Sequence, residues 1–328
     1  MQLGAKNVQN EAWILTDKRP GTAAQAIGLA EEIGLKYKII NLDYSAFSSL
    51  PNIFLSESLL RLTADSKKKI LKSDYLPSHV ISAGRRSAPI ALYLKKESKS
   101  QTKIIQIMNP NLDFKKFDFV ILPKHDEVSA EKFPNLITTI GALTRVDEKR
   151  LASESEKFPE LKKNTKTKIA LLVGGSSNKT KFTAESVKKL AKISSDLAKK
   201  MDATLLVLNS RRTGKELNEA LKSELSGDVQ FFDWEEVKEK NPYFAILNCA
   251  DFFVITGDSV SMISECCSTG KPVYIFDEAE ISSEKHRRFH EELVAQNYAK
   301  RFLGDSVLEN FSPQKLCETA RVAKLVSK

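Results

Sequence analysis

The stretch ITGDSVSMISECCSTGKPVYIF, residues 255–276, decides how this chain is read. An apolar run ends in Thr256, Gly257, Asp258 and Ser259, a helical pattern follows to Thr269, and Gly-Lys-Pro opens a second apolar run at Val273. Strand, turn, helix and strand make one βαβ unit, and such units build parallel sheets through right-handed crossovers. At the helix start the N–H groups of Val260 and Ser261 lack intrahelical acceptors and suit an anion. Glu265 follows Ser261 by four residues, on the same face. A carboxylate there suits ribose hydroxyls while the helix start takes a phosphate. Read singly, Asp258 or Ser259 is an ordinary N-cap.

The same alternation runs outward in both directions. Strands are expected at 12–16, 37–41, 79–82, 103–107, 119–122 and 137–140, with helices at 22–33, 55–71 and 87–96 among them. A polar stretch, SESEKFPELKKNTKTK at 153–168, reads as a linker. Beyond it strands are expected at 169–173, 204–208, 230–232, 252–256 and 273–276, separated by helices that include 184–200, 214–225 and 260–269. The reading is an α/β chain of two Rossmann-like domains, 1–162 and 163–311, with a cleft between them. A last helix in 312–328 is expected to pack back on the first domain. Ligands of open parallel sheets bind outside the carboxyl ends of the strands, so post-strand loops take priority.

Length and composition agree with this. The 328 residues suffice for two cores, and 41% hydrophobic with 28% charged residues describes an ordinary folded protein. No run approaches the roughly 18 apolar residues of a membrane span, and MQLGAKNVQNEA has no secretory apolar core. The expectation is a cytoplasmic protein. Cys249, Cys266, Cys267 and Cys317 have no metal-ligand spacing, so no metal is expected, and reduced packing thiols are. The net charge of +9 leans toward residues 1–162, which hold 25 basic against 19 acidic residues. That favours anionic partners, although a solvated lysine-rich surface accounts for the same count. Basic and aromatic residues do not interleave, so nucleic acid is not expected.

Several further loops carry candidates. Gly174, Gly175 and Ser176 open GGSSN after a strand, where glycines permit close backbone approach to a phosphate and a tight turn explains them equally. Arg211 and Arg212 in NSRRTG suit a diphosphate or carboxylate fork, or a solvated pair at a helix start. Arg287 and Arg288 lie in EKHRRFHEEL, which also reads as an exposed amphipathic helix. In the first half, Asp17 ends a strand with Gln25 on the following helix, Arg85 and Arg86 follow another, and Asn109 a third. His125 and Asp126 stand in PKHDE. Asp17, His125 and Asp126 are the candidates for a general base, and the sequence does not choose among them.

Taken together, WILTDKRPGTAAQAIGLAEEIG, ISAGRRSAPIALYL, QIMNPNLDFKKFDFVILPKHDE, NSRRTG, the stretch through GDSVSMISECCSTGKPVYIF, and KHRRFHEELV resemble the elongated-mitochondria family of mitochondrial fission proteins and its bacterial relatives. The resemblance spans Trp13 to about Phe302. It implies a glycosyltransferase-B-like fold in which the second domain binds a nucleotide-diphosphate sugar as donor, with no tightly bound cofactor. By the same resemblance, Ser259, Val260 and Ser261 fall near the diphosphate and Glu265 near the ribose. It also implies a glycan or lipid acceptor of the cell envelope and peripheral association with the inner face of an anionic membrane. The glycine fingerprint and Tyr-x-x-x-Lys pair of an NAD-dependent epimerase are absent. Two departures bear on catalysis. Lys18 follows Asp17 where the family usually has Gly, and Thr22 stands where it often has His, leaving any base role to Asp17 or His125. The alternative the resemblance carries is a non-catalytic adaptor, of the mitochondrial-fission type, that binds a partner protein at a membrane surface.

Overall fold

A computed structural model describes residues 7–17, 19–163, 165–176, 180–278, 281–302, 304 and 308–327. Two compact units divide it: Met1–Arg145 with Glu318–Lys328, and Val146–Cys317.

In the first unit, β1 (Val8–Thr16), α1 (Pro20–Ile33), β2 (Tyr37–Asn41), α2 (Asn52–Leu55), α3 (Ala64–Leu71), β3 (Leu76–Ala83), α4 (Ala88–Glu97), β4 (Lys103–Ile107), β5 (Phe119–Pro123) and β6 (Leu136–Thr139) follow in sequence. The strands form one parallel sheet in the order β2-β1-β3-β4-β5-β6. Its central strands are buried on both faces, which is why they read as continuous apolar runs. The helix expected over 55–71 is two helices with a loop between them. Ser56 turns at φ 28°, Tyr44 bridges Leu62 in antiparallel sense, and Thr63 caps α3 by accepting from the Ser66 N–H. Apolar spacing alone does not reveal that break, because Leu55 at the end of α2 and Leu59 and Leu62 in the loop are all buried.

The second unit opens with α5 (Glu148–Glu156), then β7 (Lys168–Leu172), α6 (Ala184–Lys200), β8 (Thr204–Leu208), α7 (Gly214–Glu224), β9 (Val229–Phe232), α8 (Trp234–Val237), α9 (Tyr243–Cys249), β10 (Phe252–Thr256), α10 (Val260–Cys267), β11 (Val273–Phe276), α11 (Glu284–Ala295) and β12 (Lys300–Arg301). All strands are parallel, in the order β12-β11-β10-β7-β8-β9. The boundary therefore falls at Arg145/Val146 and not at 162/163. The segment read as a linker is structured: α5 packs on α9, and Phe158 and Leu161 are buried. Most of its polar residues face solvent, Ser155 and Lys168 excepted, and mask a few apolar anchors.

The closing helix α12 (Glu318–Val326) belongs to the first unit and packs on α1. Val322, Ala323 and Val326 join a core with Ile14, Ala26 and Leu29. Thr319 accepts from the Thr144 N–H at 2.8 Å, and Glu318 from that of Ile140 at 3.2 Å. No helix among the described residues is long and apolar enough to cross a membrane.

Candidate functional site

Strand order singles out one place in each sheet. In the second unit, β8 and β9 lie to one side of β7 while β10 and β11 lie to the other, so the chain reverses direction between β7 and β10. Loops leaving the carboxyl ends of such a pair diverge and leave a crevice, the usual ligand position in an open α/β sheet. The loops in question carry Gly174 to Ser176 and Thr256 to Ser259.

Asp258 is the hub. Its side chain is fully buried. One carboxylate oxygen accepts from the Thr256 hydroxyl at 2.7 Å; the other accepts from the Gly175 N–H at 3.1 Å and the Arg212 guanidinium at 2.6 Å. Thr256 in turn accepts from the Gly174 N–H at 2.8 Å, and the Thr213 hydroxyl donates to the Gly174 carbonyl at 2.5 Å. Three post-strand loops are thereby tied to one acid. Burial pushes the Asp258 carboxyl above the usual carboxylate range, while Arg212, Thr256 and the Gly175 N–H pull it back. The closeness of these loops is what requires the two glycines. A Cβ on Gly174 would lie 2.1 Å from the Asp258 carboxylate, and one on Gly175 would lie 2.2 Å from the Arg212 backbone.

Directly after the hub, Ser259 caps α10 by accepting from the Met262 N–H at 3.5 Å. The first backbone bond of the helix runs from the Ile263 N–H to the Ser259 carbonyl, so the N–H groups of Val260 and Ser261 precede it. Both residues are half-exposed. Along the helix, Glu265 is mostly buried and accepts from the Tyr243 hydroxyl at 2.6 Å. Burial, and then the Glu265 charge, hold that hydroxyl protonated as a donor.

From the other side, α11 holds the Gly257 turn. His290 is fully buried, with Nε2 donating to the Gly257 carbonyl at 2.9 Å and Nδ1 facing Asp277 at 3.1 Å. His286 completes a capping box with Ser283 at the start of α11, accepting its N–H at 3.3 Å. Burial, followed by the charges of His290, Lys285 and Arg212, pushes His286 down to about 4.

The structure thus brings Gly174, Gly175, Arg212, Thr256, Asp258, Ser259, Val260, Ser261 and Glu265 to one end of the second sheet. Ser176 lies beside them and accepts from the Phe182 N–H at 3.0 Å; Ser177 and Asn178 fall outside the described residues. The expected Arg211–Arg212 fork is split, since Arg211 is exposed while Arg212 is bound to Asp258. On α11, Arg287 donates to the Ser282 carbonyl and Arg288 pairs with Glu284, so both brace their own helix start. Sequence reasoning misses Tyr243, Asp277 and His290. The spacing of His286 and His290, which puts both on one helix face, is the available signal for the last.

At the first unit's edge the corresponding reversal lies between β1 and β3. Asp17, after β1, takes hydrogen bonds from the Arg19 guanidinium at 2.7 Å and backbone N–H at 3.0 Å. Lys18 lies outside the described residues. Arg85 and Arg86, after β3, have no carboxylate partner among the described residues, and Arg86 stacks 5.7 Å over Tyr44. Burial, then Asp17, raises the Tyr44 hydroxyl pKa. His125, buried, and Asp126 follow β5, separated from the Asp17 loop by β3 and β4. With strands about 4.8 Å apart, that places Asp17 and the His125–Asp126 pair in different parts of the edge. Asn109 closes its own turn by accepting from the Asn111 N–H at 2.8 Å, and Gln25 is mostly buried on α1, 3.4 Å from the Gly21 carbonyl.

Comparison with known proteins bears on the family and the fold. The chain is 30% identical over 349 residues to uncharacterized protein RP120 of Rickettsia prowazekii, covering 96% of this chain and 97% of that one. It is 27% identical over 269 residues to mitochondrial fission protein ELM1 of Arabidopsis thaliana, covering 75% of this chain and 62% of that one. Among solved structures, the UDP-GlcNAc 2-epimerase of Neisseria meningitidis bound to UDP-GlcNAc superposes with a TM-score of 0.52 at 13% identity, covering 96% and 91%. Spinosyn forosaminyltransferase SpnP does so with a TM-score of 0.52 at 11% identity, covering 97% and 91%. At such identities the likeness shows the fold, two Rossmann-like domains of the glycosyltransferase-B type. The family described as Mitochondrial fission ELM1 matches residues 20–328, and the chain belongs to that family.

Proposed function

We propose that the second unit binds a nucleotide-diphosphate sugar and that the protein transfers the sugar to an envelope glycan or lipid acceptor. The observation that carries this is the Asp258 hub: it holds three loops rigidly around the start of α10, next to the N–H groups of Val260 and Ser261. A preorganised helix start of this kind stabilises a diphosphate as charge develops on it. Glu265, oriented by Tyr243, lies a turn further along for ribose hydroxyls. In the reaction an acceptor hydroxyl attacks the anomeric carbon, the bond from that carbon to the diphosphate oxygen breaks, and the hydroxyl proton passes to a base. The nucleotide diphosphate leaves. Similar folds described with UDP-GlcNAc support the ligand class.

Calorimetric titration with UDP, GDP and ADP sugars tests the binding step. One nucleotide is expected to bind, with Glu265→Ala weakening it at least about tenfold, the worth of one charged hydrogen bond. Absence of binding by every nucleotide, or an unchanged affinity in Glu265→Ala, rejects the reading.

One observation favours the non-catalytic adaptor as a second reading. Asp17 is bonded to Arg19 through guanidinium and backbone, so both of its carboxylate oxygens already accept from its own loop. Nucleotide binding without turnover, together with retention of a partner protein on the immobilised chain, would select the adaptor.

A further inference from the structure

The loop from Ser45 to Arg61 in the first unit exposes large apolar side chains that no core accounts for. Ile53 and Phe54 are each 76% exposed, Phe47 is 57% and Leu60 is 55% exposed. The backbone beneath them is firmly held. The Ser45 N–H donates to the Arg61 carbonyl at 2.8 Å, closing the loop at its base. Arg61 itself is fully buried, and its guanidinium donates to the carbonyls of Leu50 at 2.8 Å, Arg85 at 3.0 Å and Arg86 at 3.2 Å. Asn52, also buried, donates to the Arg85 carbonyl at 2.7 Å. Within the single turn of α2, Asn52 and Leu55 are buried while Ile53 and Phe54 protrude. Such protrusion on a braced loop marks a contact surface.

The charges beside the patch identify its partner. Arg85 and Arg86 are joined to the loop through their carbonyls. Lys116 and Lys96 flank the loop's Glu57, at 3.3 and 4.0 Å, and outnumber it. A second copy docked symmetrically would set this cationic border against itself. A bilayer with anionic headgroups offers the complement to both parts: acyl chains for Phe47, Ile53, Phe54 and Leu60, and phosphate charge for the arginines and lysines.

We propose that this loop docks the protein on an anionic lipid surface. The proposal rests on the first unit alone and is independent of the nucleotide reading, whose residues lie in the second.

The test is co-sedimentation of the full chain with vesicles of phosphatidylcholine alone and of phosphatidylcholine mixed with phosphatidylglycerol. Wild type is expected to sediment with the mixed vesicles and weakly with the neutral ones, less so as salt rises. The Ile53→Ser/Phe54→Ser double variant, which alters only exposed side chains, should lower the partition coefficient at least about tenfold. Leu325→Ser, an exposed apolar change on α12, should leave it unchanged. Arg85→Ala/Arg86→Ala should abolish the preference for mixed over neutral vesicles. Wild type remaining in the supernatant with both vesicles, or the double Ser variant sedimenting like wild type, overturns the proposal. So does a dimer in analytical ultracentrifugation that the double variant converts to monomer while neither binds lipid, because the patch would then serve a second copy.

Discussion

In the second unit, Arg212, in the loop after β8, closes at 2.6 Å on the buried Asp258 of the topological reversal, and Gly175 and Thr256 donate to the same carboxylate. In the first unit, Arg85 and Arg86 follow β3, itself at the reversal, and meet no carboxylate among the described residues. The acid of that edge, Asp17, is bound by Arg19, and the buried arginine, Arg61, binds carbonyls alone. The two edges are built from the same residue types. The second edge pairs its loop arginine with a buried acid, whereas the first leaves Arg85 and Arg86 without a carboxylate among the described residues, with Arg86 over Tyr44. An arginine after a parallel strand is therefore a ligand candidate only once its partners in the fold are known.

The comparison breaks most readily at Asp258. Asp258→Ala leaves Arg212 unpaired and two backbone or hydroxyl donors unsatisfied, costing about 3 kcal/mol, the low end for a broken buried pair because Arg212 is partly solvated. Arg85→Ala should cost less than about 0.5 kcal/mol. Urea unfolding of both variants measures the contrast, and equal losses would remove the distinction between the edges.

Arg61→Met sharpens the first edge. It keeps the apolar stem and strands the carbonyls of Leu50 and Arg86, while that of Arg85 keeps its bond from Asn52, with an expected loss of about 2 kcal/mol in the same assay. A loss below that of Arg85→Ala would mean that Arg61 does not brace the loop.

The smallest effect is a pH dependence at the second edge. His286 has its folded pKa lowered to about 4, so the fold favours the neutral ring that accepts from Ser283. Its contribution is present in full above its ordinary value of about 6.5 and is lost as pH falls from there toward the folded value. His286→Gln retains an N3 acceptor for the capping box and should flatten this part of the stability profile. Unfolding midpoints at about pH 7 and about pH 4.5 give the slope, and an unchanged slope would assign it to other groups.

Much of this architecture is legible in the amino-acid order. The strands at 103–107, 204–208, 252–256 and 273–276 stand where the apolar runs put them, because a strand buried on both faces leaves an unbroken signal. The loop after β10 is legible too, since small hydroxyl residues between a strand and a helix have few other uses. The roles of Arg212 and Gly174 are not. Arg212 belongs to a loop 46 positions from Asp258, and the glycines are required by a carboxylate that approaches from that other loop. Likewise 153–168 reads as a linker, because one buried face of a short polar helix contributes too few apolar residues to show a period.

The amino-acid order by itself determined the alternation of strand and helix, the parallel character of the sheets, and the placing of Val260, Ser261 and Glu265 on one helix start, all properties of local spacing. Only the tertiary structure decided which charges are satisfied. Asp258 became a structural hub, Arg211 and Arg212 parted, and Ile53 and Phe54 were left outside the core. The physical reason is range: secondary structure follows from contacts a few residues apart, whereas the pairing of a buried charge depends on whatever the crossovers bring beside it.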